Sequence, residues 1–196
     1  MFANRYTAFL DACSLAGVLQ RNLLLSLSEA EFYRIRWSMR VLDETQSAIE
    51  KMLIRKGVED AAERALSART SVEVAFEDAM VEGYEHNLPL VQNAPDLGDV
   101  HVISAAAKAQ AAVIVTDNVK DFPHALLRSF NLEAKTTDAF LADAITLDEG
   151  RAVFAIRQMR ERFKRPEISA DTLLLRMEAV GLYETCNVLR PFAGSL

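Results

Sequence analysis

The chain reads as an α/β protein: a central, mostly parallel sheet flanked by helices in three layers, extended at its C-terminus by an all-helical segment. Three observations predict this. Short apolar runs rich in β-formers, YTAFL at 6–10 and AAVIVT at 111–116, are each coupled to a helical stretch. Strands separated by helices imply parallel neighbours, because the chain must return across the sheet through a crossover. From Thr137 onward the apolar spacing is helical: Phe140, Leu141 and Ile145, then Val153, Ile156, Met159 and Phe163. The change of character divides the chain into 1–136 and 137–196.

Taken in order, residues 6–10 form a short strand stopped by Asp11, followed by helix from about residue 12 and further helix roughly over 23–33. After FYRIRWS, Ser38 is a favoured cap for the helix MRVLDETQSAIEKMLIRKG, which ends at Gly57. A mostly helical segment runs from 58 to about 83, and HNLPLVQNAP reads as a short strand and loop. Next comes the αβ unit DLGDVHVISAAAKAQAAVIVTDNVKDFP, in which Asp96 would cap the helix, and then one more short strand ending near 134–137. The tail holds two or three helices, with Leu173, Leu174, Met177 and Val180 on one face of the last long run.

A length of 196 residues and 51% hydrophobic content support one sizeable core. No stretch approaches the roughly 18 apolar residues of a membrane span. Asp11 interrupts the N-terminal apolar run too early for a secretory signal. Cys13 and Cys186 lack metal-ligand spacing, which predicts a reduced, cytoplasmic protein with two buried or half-buried thiols. His101 falls on the polar side of its helix and is expected to be exposed. The net charge of −6 is unevenly spread: residues 43–87 hold 11 acids against 5 bases, and 151–165 hold 6 bases against Glu161 alone. A local basic patch matters more to a polyanion than the total.

Carboxylates crowd the ends of ordinary elements. Asp11 ends the first strand, where it either caps the next helix or projects into the crevice at the carboxyl edge of the sheet. Asp99 heads the stripe Asp99, Val102, Ile103, Ala106. In a first turn it suits the helix macrodipole, but a charge at the head of a buried face also needs a partner, and a metal ion would be one. Glu44 lies beside the packed face Leu42, Thr45, Ile49 and Met52, whereas Asp43 shares the solvated side with Gln46, Ser47 and Glu50. Alone, a residue placed like Glu44 is more often an ordinary boundary ion pair. Asp117, Asn118 and Asp121 follow the strand ending at Thr116, in a stretch that also suits a turn. Neither a phosphate-cradling glycine loop nor a nucleophile elbow is present.

These residues together resemble the PIN domain, a metal-dependent nuclease fold, and most strongly the VapC-like toxins of bacterial toxin–antitoxin pairs. Five features carry the resemblance over about residues 5–125: FLDACSLAG with Asp11, residues 22–27 with FYRIRWS, VLDETQ with Glu44, DVHVISAAA with Asp99, and IVTDNVKDFP. The helical tail is similar to a C-terminal extension of some such proteins. The resemblance implies a divalent-metal-dependent endoribonuclease with catalytic candidates Asp11, Glu44, Asp99, Asp117, Asn118 and Asp121, and metal ligands Asp11 and Asp99. The family's fourth position falls on Asn118, with Asp117 and Asp121 as neighbouring acids. The alternative is a non-cutting PIN-like module that binds RNA or protein.

Clustered carboxylates suit Mg²⁺ or Mn²⁺, which take oxygen ligands. The implied partners are an RNA substrate, a cognate antitoxin and a second copy in a homodimer. Two basic groups are candidate phosphate tracks: Arg157, Arg160 and Lys164 in the tail, and Arg34, Arg36 and Arg40 near Glu44. The bland reading of the first is a solvated face paired with acids.

Overall fold

The computed structural model describes residues 6–86, 97–164 and 166–196. Within these, four parallel strands form one sheet: β1 (Thr7–Leu10), β2 (Arg34–Arg36), β3 (Val113–Val115) and β4 (Glu133–Lys135), in the order β2-β1-β3-β4. β1 and β3 are central and buried on both faces, as their uninterrupted apolar sequences require. Register is fixed by Ala8 opposite Ile35 on one side and Val113 on the other. The expected apolar strands are present. β2 was not foreseen, because in RIR only Ile35 is buried and three residues are too few to display a period. Beyond β2 the edge is extended by a single parallel bridge, Trp37 to Met80.

The first crossover holds α1 (Ala12–Ala16) and α2 (Val18–Glu29), so helix occupies 18–29 rather than 23–33. The second begins with α3 (Met39–Arg55), capped as expected by Ser38, whose Oγ accepts from Val41 N at 3.3 Å. Gly57, at φ +73°, supplies the left-handed residue that lets the chain leave α3. α4 (Ala61–Ala75) packs back on α3, and α5 (Val100–Lys108) leads into β3. The short α6 (His124–Arg128) joins β3 to β4. Strand order and crossover hand together place helices on both faces. The strand-and-loop expectation for HNLPLVQNAP and the cap expectation for Asp96 lie outside the described residues, apart from His86.

Among its described residues the tail holds four α-helices, not two or three: α7 (Thr137–Leu147), α8 (Glu149–Glu161), α9 (Ala170–Ala179) and α10 (Tyr183–Leu189). Asp148 breaks the first run and caps α8, its Oδ1 accepting from Arg151 N at 3.1 Å. The four do not form a separate core. Phe140, Leu141, Ile156, Met177 and Leu189 belong to the same continuous apolar cluster as Phe9, Leu24 and Ile114. Tyr33 meets the Phe140 ring edge-on at 4.7 Å between centroids, so α7 packs against the residue that leads into β2.

Candidate active site

In a 2-1-3-4 parallel sheet the winding direction reverses between β1 and β3, and their carboxyl ends diverge to leave a crevice. Asp11 follows β1 and Thr116 follows β3 at this point. Asp11 is only 8% exposed. Its Oδ1 accepts from Ala12 N at 2.7 Å, and its Oδ2 accepts from the Thr116 hydroxyl at 2.8 Å and the Cys13 thiol at 3.1 Å. Asp11 is therefore both the cap of α1 and a carboxylate held at the switch point. The two readings of this residue are compatible.

Cys13 departs from expectation, since the residue is exposed. Its sulfur nevertheless faces inward, 3.3 Å from Thr116 Oγ1, and it accepts from Asp117 N at 3.2 Å. Burial of the sulfur, together with the adjacent Asp11 charge, pushes the thiol up to about 11. That argues against a nucleophilic thiol, which needs a depressed value. Cys186 is buried, as expected.

A second group lies between α3 and α5. Glu44 is in the second turn of α3 and Asp99 is the residue immediately preceding α5, one step earlier than the first-turn position expected. The helix entering β3 runs antiparallel to it, so Asp99 lies at the same carboxyl edge as Asp11. Asp99 is half-buried, and its carbonyl accepts from Val102 N at 3.0 Å. Glu44 Oε1 accepts from Arg40 Nε at 3.1 Å and lies 3.2 Å from His101 Nε2. Arg40 also reaches Gly98 O at 3.3 Å, tying α3 to the loop that delivers Asp99. Partial burial pushes the Glu44 carboxyl up, but the bonds and charges of His101 and Arg40 outweigh it and hold it below the usual range. Asp43 points away and pairs with Arg69 at 2.6 Å.

His101 is the residue that sequence reasoning misplaced. It is 2% exposed, because every residue of α5 from Val100 to Ala106 is buried and the helix has no polar outer side there. The available signal was composition: HVISAAA is nearly all small or apolar, which suits a helix enclosed all round.

The three candidates after β3 separate. Asp117 is engaged with other elements: Oδ1 accepts from Thr137 N at 2.9 Å and Oδ2 from Gln20 Nε2 at 3.3 Å. It anchors the start of α7. Asn118 donates from Nδ2 to Asp121 Oδ2, and its backbone N donates to Thr116 Oγ1 at 3.1 Å. Asn118 and Asp121 thus form a pair half-buried beside Thr116.

Among the described residues no three His, Cys, Asp or Glu side chains are gathered to hold one ion. The donors present are oxygens of carboxylates, the class hard cations take, and Mg²⁺ commonly uses only one or two protein carboxylates, completing its shell with water and substrate phosphate. Asp11 and Asp99 meet that requirement in donor chemistry.

The basic tail stripe is differently placed. Arg151 donates to Ala30 O at 2.5 Å and lies over the Phe32 ring, and Arg162 bonds Glu29 at 3.1 Å. These partners precede β2, so α8 lies toward the amino edge of the sheet, opposite the acids. Arg157 pairs with Glu161, and Arg160 is bound to Ile168 O at 2.7 Å. The stripe is largely committed to intramolecular partners. Of the second group, Arg34 opens β2 at the amino edge, while Arg36 and Arg40 follow toward the carboxyl edge.

Carboxylates set beyond the carboxyl edge of a parallel sheet, one at a strand end and two from flanking helices, fit the place where open α/β sheets take their ligands. The family itself is shown by comparison: residues 7–120 match the PIN domain and residues 137–191 match the VapC50 C-terminal domain. This chain belongs to the PIN domain family. It is 32% identical over 108 residues to a protein of Mycobacterium tuberculosis (strain ATCC 25618 / H37Rv) named as a candidate ribonuclease, VapC50. That alignment spans 55% of this chain and 63% of the relative. No solved structure matches. No helix among the described residues is long and apolar enough to cross a membrane.

Proposed function

We propose that this chain is a divalent-metal-dependent endoribonuclease that hydrolyses RNA phosphodiester bonds and serves as the toxin of a type II toxin–antitoxin pair in the cytoplasm. The observation that carries it is the Asp11–Thr116 contact at the switch point, with Asp99 and Glu44 brought to the same edge. Kinship to a relative named as a candidate ribonuclease supports the same reading.

Asp11 and Asp99 would hold Mg²⁺ or Mn²⁺. When bound, such an ion supplies charge stabilisation to the phosphoryl oxygens and acidifies a water. The chain's own part is orientation. Ala12 N, Thr116 and Cys13 fix the Asp11 carboxylate while leaving it some of its roughly four lone-pair positions. Glu44 is kept ionised and presented from α3 by Arg40 and His101. Arg40, bonded to Glu44, is a base available to a phosphate backbone at this edge. A cognate antitoxin would cover this edge, where the concentration of acids favours a basic side chain.

The test is cleavage of mixed cellular RNA by purified protein with Mg²⁺ or Mn²⁺, beside EDTA and a folded Asp99→Asn variant. Metal-dependent cutting that EDTA and the variant abolish is the expected result. Folded protein that leaves every RNA intact would favour the non-cutting module instead.

A further inference from the structure

We infer that His101 is a positioning residue for Glu44, clasping one of its carboxylate oxygens so that α3 and the start of α5 present Glu44 and Asp99 together. The inference rests on the nuclease reading of the site and extends it to a residue outside the acidic set.

Three observations carry it. His101 Nε2 and Arg40 Nε converge on the same oxygen, Glu44 Oε1, at 3.2 and 3.1 Å. A free Glu samples many rotamers, and two donors arriving from different elements select one of them. Oε2 is the oxygen that neither donor engages. Second, the donors connect the parts that must be aligned. Arg40 belongs to α3 and reaches Gly98, while His101 lies in the first turn of α5, two residues after Asp99. The clasp therefore fixes Glu44 and the backbone that delivers Asp99 with one set of contacts.

Third, His101 is a poor choice for packing alone. Its Nδ1 is buried without a hydrogen-bond partner among the described residues. A buried polar atom left unsatisfied is unfavourable, and a Leu or Met would fill the space without it. The Nε2 bond to Glu44 is the return on that arrangement. Glu44 is counted among the carboxylates facing the ion that Asp11 and Asp99 would hold, and residues that orient such carboxylates typically change metal affinity when replaced, although they never touch it.

The test uses the full chain and Mn²⁺ alone, read by electron paramagnetic resonance of free and bound ion. His101→Leu keeps an apolar bulk and removes the donor, whereas His101→Gln keeps an N–H donor of comparable reach. His101→Leu should weaken Mn²⁺ binding by about tenfold and His101→Gln by no more than about threefold. In a Glu44→Ala background, His101→Leu should add nothing, because the group it acts through is gone. If the Leu variant does not fold, His101→Asn replaces it: its shorter amide cannot reach Glu44, and the same weakening is expected.

Equal affinity in wild type and His101→Leu would overturn the inference while leaving the nuclease reading standing. Equal weakening by Leu and Gln, or the same loss with and without Glu44, would reduce His101 to packing and overturn it too. A folded wild type that binds no Mn²⁺ would overturn the inference together with the metal-dependent reading, a result separable from the others because the variants play no part in it.

Discussion

Single side chains at the carboxyl edge divide between holding the crevice in shape and facing it, and Cys13 and Asp117 are of the first kind. The Cys13 sulfur is enclosed by Asp11, Thr116 and Asp117. Only the thiolate alkylates, so a thiol raised to about 11 reacts slowly at neutral pH and faster as pH climbs toward that value. At pH 8 Cys13 should react with iodoacetamide on the order of a hundredfold more slowly than an ordinary thiol of pKa about 8.5. Asp11→Asn removes a neighbouring charge and should speed the reaction, as peptide mass spectrometry would record. Asp117 serves as the anion at the start of α7. Asn can make the same cap without charge. Asp117→Asn is therefore expected to keep both stability and RNA cutting, and loss of cutting in a folded variant would return Asp117 to the ligands.

Between elements, hydrogen-bonded caps and aromatic contacts fasten the tail to the sheet. Asp138, in the first turn of α7, accepts from Glu184 N and Thr185 N at 2.8 Å each and from Thr185 Oγ1 at 2.7 Å. One carboxylate thus satisfies the exposed amides that open α10. Asp138→Ala should lower stability to urea by about 1–3 kcal/mol, the scale of bonds to a charged acceptor. Phe140, 2% exposed, lies between the rings of Tyr6 and Tyr33. Phe140→Ala is expected to cost about 3–5 kcal/mol in the same measurement, because the cavity opens where α7 meets the sheet.

At the scale of the molecule, family matches at 7–120 and 137–191 fall on one apolar core. We propose the division at 136/137 as a boundary between units of different ancestry that do not fold independently. Thr137 bridges them at the site itself, donating from its hydroxyl to Ser14 Oγ at 2.9 Å, which in turn donates to Val115 O at 2.9 Å. Residues 1–136 expressed alone should lack a cooperative thermal transition, since α2 would lose the α7 and α8 surfaces packed against it. A sharp transition in that fragment would contradict a shared core.

Much of this was legible in order along the chain. TAFL and VIV are apolar enough to be central strands, Ser38 and Gly57 bracket α3, and Asp11, Glu44 and Asp99 each stand at an element end or beside a packed face. These are local properties, set by periodicity, capping and the short range of turn chemistry. Three-dimensional proximity decided the rest. His101 is enclosed because α5 is surrounded, and no nine-residue period reveals how many neighbours a helix has. Asp117, Asn118 and Asp121 are equivalent in sequence, yet one meets α7 and the other two meet each other. The basic run at 151–165 has the composition of a phosphate track, but α8 lies at the opposite edge from the acids and contacts Glu29 and Ala30. Charge and spacing determine what a side chain can do. Which partner it meets depends on strand order, and strand order is fixed only when the whole sheet has closed around its core.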